Sequence, residues 1–166
     1  MVASQYQCRP INSSDMDFLY RVYESTRWEE LQQAPWSDEQ RREFLTMQFQ
    51  AQHQHYQQHY ADAEYQIIEI GGQAAGRLYL DHREDEIRIV DIALLPEYRN
   101  TGVGTKILKN ILDLAGKQEV PIRIHVEKNN PALALYQRLG FTTKEDVGVY
   151  WLMEWTALIC HDLFDD

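Results

Sequence analysis

The chain has 166 residues, 44% of them apolar and 25% charged. That is the usage of one globular domain rather than of a collagen-like, disordered or disulfide-stapled chain. Its 16 basic against 26 acidic side chains leave a net charge of −10, a surface that repels nucleic-acid backbones and anionic lipid and favours cationic partners. The expectation is a single domain over residues 1–166, with no nucleic-acid and no membrane partner.

Cys8 and Cys160 lie at opposite ends of the chain without metal-type spacing. A disulfide between them is open, but one pair does not point to an oxidising compartment. Met1 to Pro10 lacks the basic-then-apolar order of a signal peptide. The longest apolar stretches, Ile87–Leu95 and Trp155–Cys160, fall short of the ~18 residues of a spanning helix. A soluble, cytoplasmic protein is expected.

In chain order, Met16, Leu19, Tyr20 and Tyr23 follow the potential caps Asn12-Ser13-Ser14 at helical spacing, which predicts a first helix ending near Thr26. Arg27 to Trp36 is expected to be a loop carrying Trp28, Glu29, Glu30 and Trp36, closed by Pro35. Ser37 with Gln40 forms a capping-box pattern. It opens a longer second helix with two apolar stripes, Phe44, Met47, Ala51 and Leu45, Phe49, Tyr56, Tyr60. The Gln- and His-rich run from Gln48 to His59 keeps that spacing and is read as an exposed helix face. His55 and His59, at i and i+4 but without a nearby acidic or cysteine ligand, are read as solvated rather than metal-binding.

Tyr65–Ile70, Gly71-Gly72 and Gln73–Leu80 predict a hairpin, and Asp81–Asp85 turns into a third run, Glu86–Leu95. After Pro96 and Gly102-Val103-Gly104 the period changes. Ile107, Leu108, Ile111, Leu112 and Ala115 mark a helix ending near Gly116. Pro121–Val126 reads as a strand reached by a parallel crossover. Pro131, behind the cap Asn130, opens a short helix closed by Gly140, and Val147–Trp155 reads as a last strand.

Two segments carry chemistry. Arg99-Asn100-Thr101-Gly102-Val103-Gly104-Thr105 lies between a strand and a helix, where small residues and the helix N-terminus suit phosphate oxygens. It is not the dinucleotide fingerprint, because Ile107 stands where a third glycine belongs. Nor is it a Walker loop, because the leading glycine is missing and Gly104-Thr105-Lys106 reverses the order of lysine and hydroxyl. The second segment is Asn129-Asn130-Pro131-Ala132-Leu133-Ala134-Leu135-Tyr136-Gln137-Arg138-Leu139-Gly140-Phe141. Taken alone, Tyr136 on its apolar stripe reads as a core residue.

The two segments, in this order and spacing, resemble the GNAT superfamily of acyl-CoA-dependent N-acyltransferases, most strongly from Ile87 to Phe141. The resemblance implies an α/β fold, α+β in some schemes, with a mixed, mostly antiparallel central sheet of about six or seven strands flanked by helices on both faces. It also implies transfer of acetyl from acetyl-CoA, as co-substrate and without a metal, to a small-molecule or peptide amine, and it admits a homodimer. By position, Arg99, Asn100, Thr101, Gly102, Val103, Gly104 and Thr105 would cradle the coenzyme pyrophosphate. Leu94 and Leu95 would pair with the pantetheine arm, Asn129 would contact the coenzyme, and Tyr136 would protonate the leaving thiolate. A non-catalytic acyl-CoA-binding sensor or interaction module on the same fold is the alternative.

For the general base, Asp91 stands out inside the apolar run Ile89-Val90-Asp91-Ile92-Ala93-Leu94. A carboxylate there is either useful or satisfied by backbone or an Arg88-type partner. Glu29, Glu30, Tyr79 and His125 are the other candidates. Trp28 and Trp36 either line the substrate mouth or fasten the first loop to the core.

Overall fold

A computed structural model describes residues 5–157; Cys160, and with it the disulfide expectation, lies outside them. A seven-stranded sheet is flanked by four α-helices in the order β1 (Gln7–Pro10), α1 (Met16–Leu31), α2 (Asp38–His59), β2 (Glu64–Ile70), β3 (Gln73–His82), β4 (Ile87–Leu94), α3 (Val103–Gln118), β5 (Ile122–Glu127), α4 (Leu133–Arg138), β6 (Thr142–Val147) and β7 (Tyr150–Trp155). Across the sheet the strand order is β1-β2-β3-β4-β5-β7-β6. Most pairs are antiparallel. β4 and β5 are parallel, paired as Ile87↔Ile122, Arg88↔Arg123 and Ile89↔Ile124, and α3 supplies the crossover that a parallel pair requires.

The chain forms two compact units, one running through Tyr79 and again over Asp91–Val103, the other taking in Leu80–Val90 and the chain from Gly104 onward. In the first unit, Leu19 and Val22 of α1, Leu45 of α2 and Ile67 and Ile68 of β2 are wholly buried. Side chains of this size each contribute about 1.5–3 kcal/mol when removed from water. Phe49 meets Tyr20 and Tyr23 at ring separations of 5.9 Å. Ser37 and Gln40 form the expected reciprocal cap of α2, at 3.1 and 2.9 Å. The stripe expected from Phe44, Met47 and Ala51 is not a core stripe, since Met47 is 69% exposed. Leu45 and Phe49 carry that burial.

α1 runs to Leu31 rather than ending near Thr26, so Trp28, Glu29 and Glu30 are helical. No breaker precedes Pro35, and the Arg41 guanidinium donates to the carbonyls of Leu31 and Ala34 at 3.0 Å. It thereby satisfies acceptors that a helix end leaves open. β1, absent from the sequence reading, pairs antiparallel with β2, and its Arg9 grips the buried carboxylate of Asp15 through two 2.8 Å bonds.

In the second unit, Ile107 and Ala115 of α3 are buried together with Ile87, Ile122, Ile124, Val126 and Met153 of the strands. The run read as one strand from Val147 to Trp155 is the end of one strand and the whole of another. Gly148, at φ 69°, turns the chain, and β6 pairs antiparallel with β7. Pro131 precedes α4 rather than opening it. Asn130 Oδ1 accepts the Ala132 N–H at 2.8 Å, and helical bonding starts at Leu133.

Candidate active site

The end of β4 is fixed by a close approach to β3. A Cβ built on Gly76 would fall 2.2 Å from the Ala93 carbonyl oxygen, so only glycine fits. Beside it the Leu95 N–H donates to the Ala75 oxygen at 2.8 Å. The β4 segment carrying Leu94 lies past Ile89, the last residue paired with β5. Arg99 does not point freely at a ligand: its Nε donates to the Leu94 carbonyl at 2.9 Å and its Nη2 to Ser25 Oγ at 3.2 Å. The arginine thereby ties the loop to the strand end, and the Leu94 oxygen keeps a second lone pair.

Asn100 and Gly102 take left-handed conformations, at φ 58° and 88°, with Thr101 Oγ1 bonded to the Tyr98 carbonyl between them at 2.8 Å. A Cβ at Gly102 would meet no atom within 4 Å; the glycine is required by its φ, and the space above it is open. Val103 is buried and opens the 16-residue α3, while Thr101 and Gly102 are exposed. First-turn amides have no partner within their own helix, and the dipole adds positive potential. An exposed turn of this shape fits a phosphate group.

Tyr136 sits in α4 with 4% exposure. Gly140, at φ 103°, ends the helix in a Schellman arrangement. The Phe141 N–H donates to the Tyr136 carbonyl at 3.0 Å and the Gly140 N–H to the Gln137 carbonyl at 3.1 Å. The Phe141 and Tyr136 rings meet edge to face at 5.5 Å. Asn129 is exposed in the turn before α4, next to the capping Asn130.

Asp91 lies in a polar cluster of the first unit. Its Oδ2 accepts from Arg77 Nη2 at 2.5 Å and from the Tyr56 hydroxyl at 3.1 Å. The satisfying partner is therefore Arg77 rather than Arg88. Arg77, 3% exposed, also donates to Gln52 at 3.1 Å, and its guanidinium lies 5.2 Å over the Tyr79 ring. The Tyr79 hydroxyl and Arg77 Nε are buried without a hydrogen-bond partner among the described residues; the guanidinium is near enough to weigh on the Tyr79 hydroxyl without forming a bond to it. Burial pushes the Tyr79 phenol up to about 12, with Arg77 opposing and Asp91 adding to the rise. Burial, then the Asp91 charge, raises Tyr56 further. Neither phenol is poised to release a proton near neutral pH.

In the second unit, buried Glu86 (4% exposed) accepts from Arg88 Nε at 2.8 Å and from Arg123 Nη1 at 2.9 Å, and Arg123 continues to Glu154 at 2.9 Å. Desolvation would raise the Glu86 carboxyl, but bonds from Arg88 and Arg123 outweigh it and hold it below the ordinary range. Arg88 Nη1 also lies 3.4 Å from Nδ1 of His125. Partial burial of the imidazole, then the Arg88 charge, lowers His125 from its usual value. Sequence reasoning passed over Glu86 and Arg77 as site neighbours. The available signal was charge within strand-like runs, which predicts pairing but not the partner.

Of the other candidates, Glu30 lines a cleft of about 290 Å³ with Tyr23, Arg27, Phe44 and Gln48 and pairs with Arg27 at 3.4 Å. Trp28 lies under the Arg42 guanidinium at 5.2 Å, and Trp36 packs against Phe44 at 5.2 Å. The His55 and His59 rings stack at 4.0 Å. No helix among the described residues is long and apolar enough to cross a membrane.

Comparison with known proteins adds to this geometry. The chain is 32% identical over 74 residues to the cysteine-rich protein 2-binding protein of Mus musculus, covering 45% of this chain and 9% of that protein. It is 32% identical over 81 residues to a putative [ribosomal protein bS18]-alanine N-acetyltransferase of Bacillus subtilis, covering 47% of this chain and 53% of that protein. The matches thus span at most about half of these relatives. The fold is similar to that of the PaiA N-acetyltransferase of Thermoplasma acidophilum in complex with coenzyme A, with a TM-score of 0.68 at 18% identity, covering 92% of this chain and 99% of that one. Residues 21–141 match the sequence pattern of the Acetyltransferase (GNAT) family, and the chain belongs to that family.

Proposed function

We propose that this protein is a single catalytic domain that transfers an acetyl group from acetyl-CoA to a primary amine by direct attack. The observation that carries the reading is a pair of features in a chain of this family. One is the exposed left-handed turn at Asn100–Gly102 on the N-terminus of α3; the other is a buried tyrosine locked by a Schellman turn. In this reading residues 99–105 hold the coenzyme pyrophosphate, Leu94 and Leu95 hold the pantetheine arm, and Asn129 contacts the coenzyme.

Holding thioester and amine together converts a bimolecular encounter into a nearly unimolecular one. The neutral amine nitrogen attacks the carbonyl carbon, the carbon–sulfur bond breaks, and the Tyr136 hydroxyl gives its proton to the departing sulfur before recovering one from water. A phenol, with an ordinary value near ~10, is protonated at neutral pH as this role requires. The amine's proton goes to Asp91, directly or through water. Arg77 and Tyr56 both bond to Oδ2, which leaves Oδ1 to receive it.

The bS18-alanine acetyltransferase among the relatives supports a peptide α-amine. An ammonium of that kind, with an ordinary value of about 8, suits a chain of net charge −10. A non-catalytic acyl-CoA-binding module would use the Tyr136 ring for packing against Phe141 but would not need its hydroxyl as an acid.

The test is a screen of peptide, polyamine and acidic amines with acetyl-CoA, following release of the free thiol at low and high salt. Turnover of the cationic amines, with kcat/KM falling as salt rises, is expected. Stabilisation by acetyl-CoA against thermal unfolding with no thiol released for any amine favours the binding module.

A further inference from the structure

His55 and His59 lie one turn apart at the end of α2, and both side chains are exposed. No group of three or more metal-capable side chains is found among the described residues, and spacing alone leaves the pair solvated. Their geometry carries more. The imidazole rings stack at 4.0 Å with 27° between their planes, so the two already share one face of the helix. Nδ1 of His59 lies 3.0 Å from the His55 carbonyl oxygen. A carbonyl only accepts, so Nδ1 carries the proton and the lone pair stands on Nε2, which has no hydrogen-bond partner among the described residues. A ring N–H given to a backbone carbonyl is how metal-bound histidines fix the nitrogen that ligates. His59 is also the last residue of α2, at the negative end of the helix dipole, in a chain of net charge −10. Both favour a bound cation.

We propose that His55 and His59 form a two-histidine clamp for a divalent transition-metal ion of the zinc class, His59 binding through Nε2 and water filling the remaining positions. Imidazole suits zinc, copper and nickel, whereas magnesium and calcium call for oxygen ligands. The clamp closes over the turn that carries Tyr56, whose hydroxyl donates to Asp91 at 3.1 Å and whose carbonyl accepts from the Tyr65 hydroxyl at 2.8 Å. A bound ion therefore braces the end of α2. His53 is not part of the clamp: its ring stacks on Phe49 at 6.1 Å. The proposal is independent of the transferase reading, since no step of acetyl transfer passes through the ion.

The test is calorimetric titration of zinc chloride into the full chain at neutral pH, paired with nitrogen-15 NMR of the imidazoles. His55→Gln and His59→Gln replace exposed side chains by a good helix former, so the metal-free Tm should stay near wild type. Each should weaken one zinc-binding step by about 10²-fold or more, the gain that chelation gives a second ligand. His53→Gln should keep that step, and zinc should raise the Tm of this variant as it does that of the wild type. In the metal-free protein the His59 proton should be found on Nδ1, and zinc should shift the His55 and His59 ring signals together. An isotherm in which no step depends on either histidine, or in which His53→Gln loses as much as they do, overturns the clamp. So does magnesium chloride binding as tightly as zinc, which would assign the ion to carboxylates. A His59 proton on Nε2 in the metal-free protein overturns it as well.

Discussion

The amide of Phe141 donates to the carbonyl of Tyr136 at 3.0 Å while the two rings meet edge to face at 5.5 Å, so the turn that ends α4 also fixes the proposed proton donor. The turn depends on Gly140 at φ 103°. A Cβ there would also lie 3.2 Å from the Trp155 indole. Gly140→Ala should cost about 1–3 kcal/mol of stability, read as a lower Tm. In the fraction that remains folded, kcat should fall while acetyl-CoA still binds. Unaltered kcat in a folded Gly140→Ala protein would separate the turn from the chemistry.

Gly104 allows stability and binding to be pulled apart. It lies in the first turn of α3, where alanine gains up to about 1 kcal/mol in helix propensity over glycine. Gly104→Ala should therefore hold or raise Tm, yet weaken acetyl-CoA binding measured by calorimetry, because the methyl group narrows the approach to the first-turn amides. Tightened or unchanged affinity would remove this turn from the coenzyme site.

The parts of the fold that rest on local signals were legible: the Ser37–Gln40 capping box, the Gly71-Gly72 hairpin turn, with φ of 61° and 79°, and the parallel crossover through α3. The elements that escaped draw their stability from distant partners. β1 has four residues including a proline and is held by β2 and by the Arg9–Asp15 pair. β6 is exposed throughout, so no apolar alternation marks it. At the site, the phosphate turn and Tyr136 could be picked out because glycine spacing and helix ends are written locally. The ownership of Asp91 could not, because Arg77 lies on a neighbouring strand and Tyr56 on α2, and only tertiary packing brings them to Oδ2.

The charge network around Glu86 carries a pH prediction. Its folded value lies below the ordinary 4.5, so its stabilising contribution is complete above that value and is lost as pH falls through the depressed folded value. Glu86→Gln should lower stability at pH 7 by roughly 2 kcal/mol or more, less than the ~3–5 for a fully buried pair because the arginines reach solvent. The gap to wild type should shrink toward pH 3. Thermal unfolding of both proteins across that range checks it, and a gap independent of pH would mean that Glu86 contributes through packing instead.

Tyr136→Phe keeps the ring, its burial and its edge-to-face partner, and deletes only the hydroxyl. The decisive measurement is kcat of this variant with acetyl-CoA and the best amine of the screen, alongside its affinity for acetyl-CoA. If Tyr136 protonates the departing thiolate, kcat falls by about 10²–10⁴ with affinity and Tm near wild type. Wild-type turnover in a folded, coenzyme-binding Tyr136→Phe protein would contradict the assignment of the proton donor.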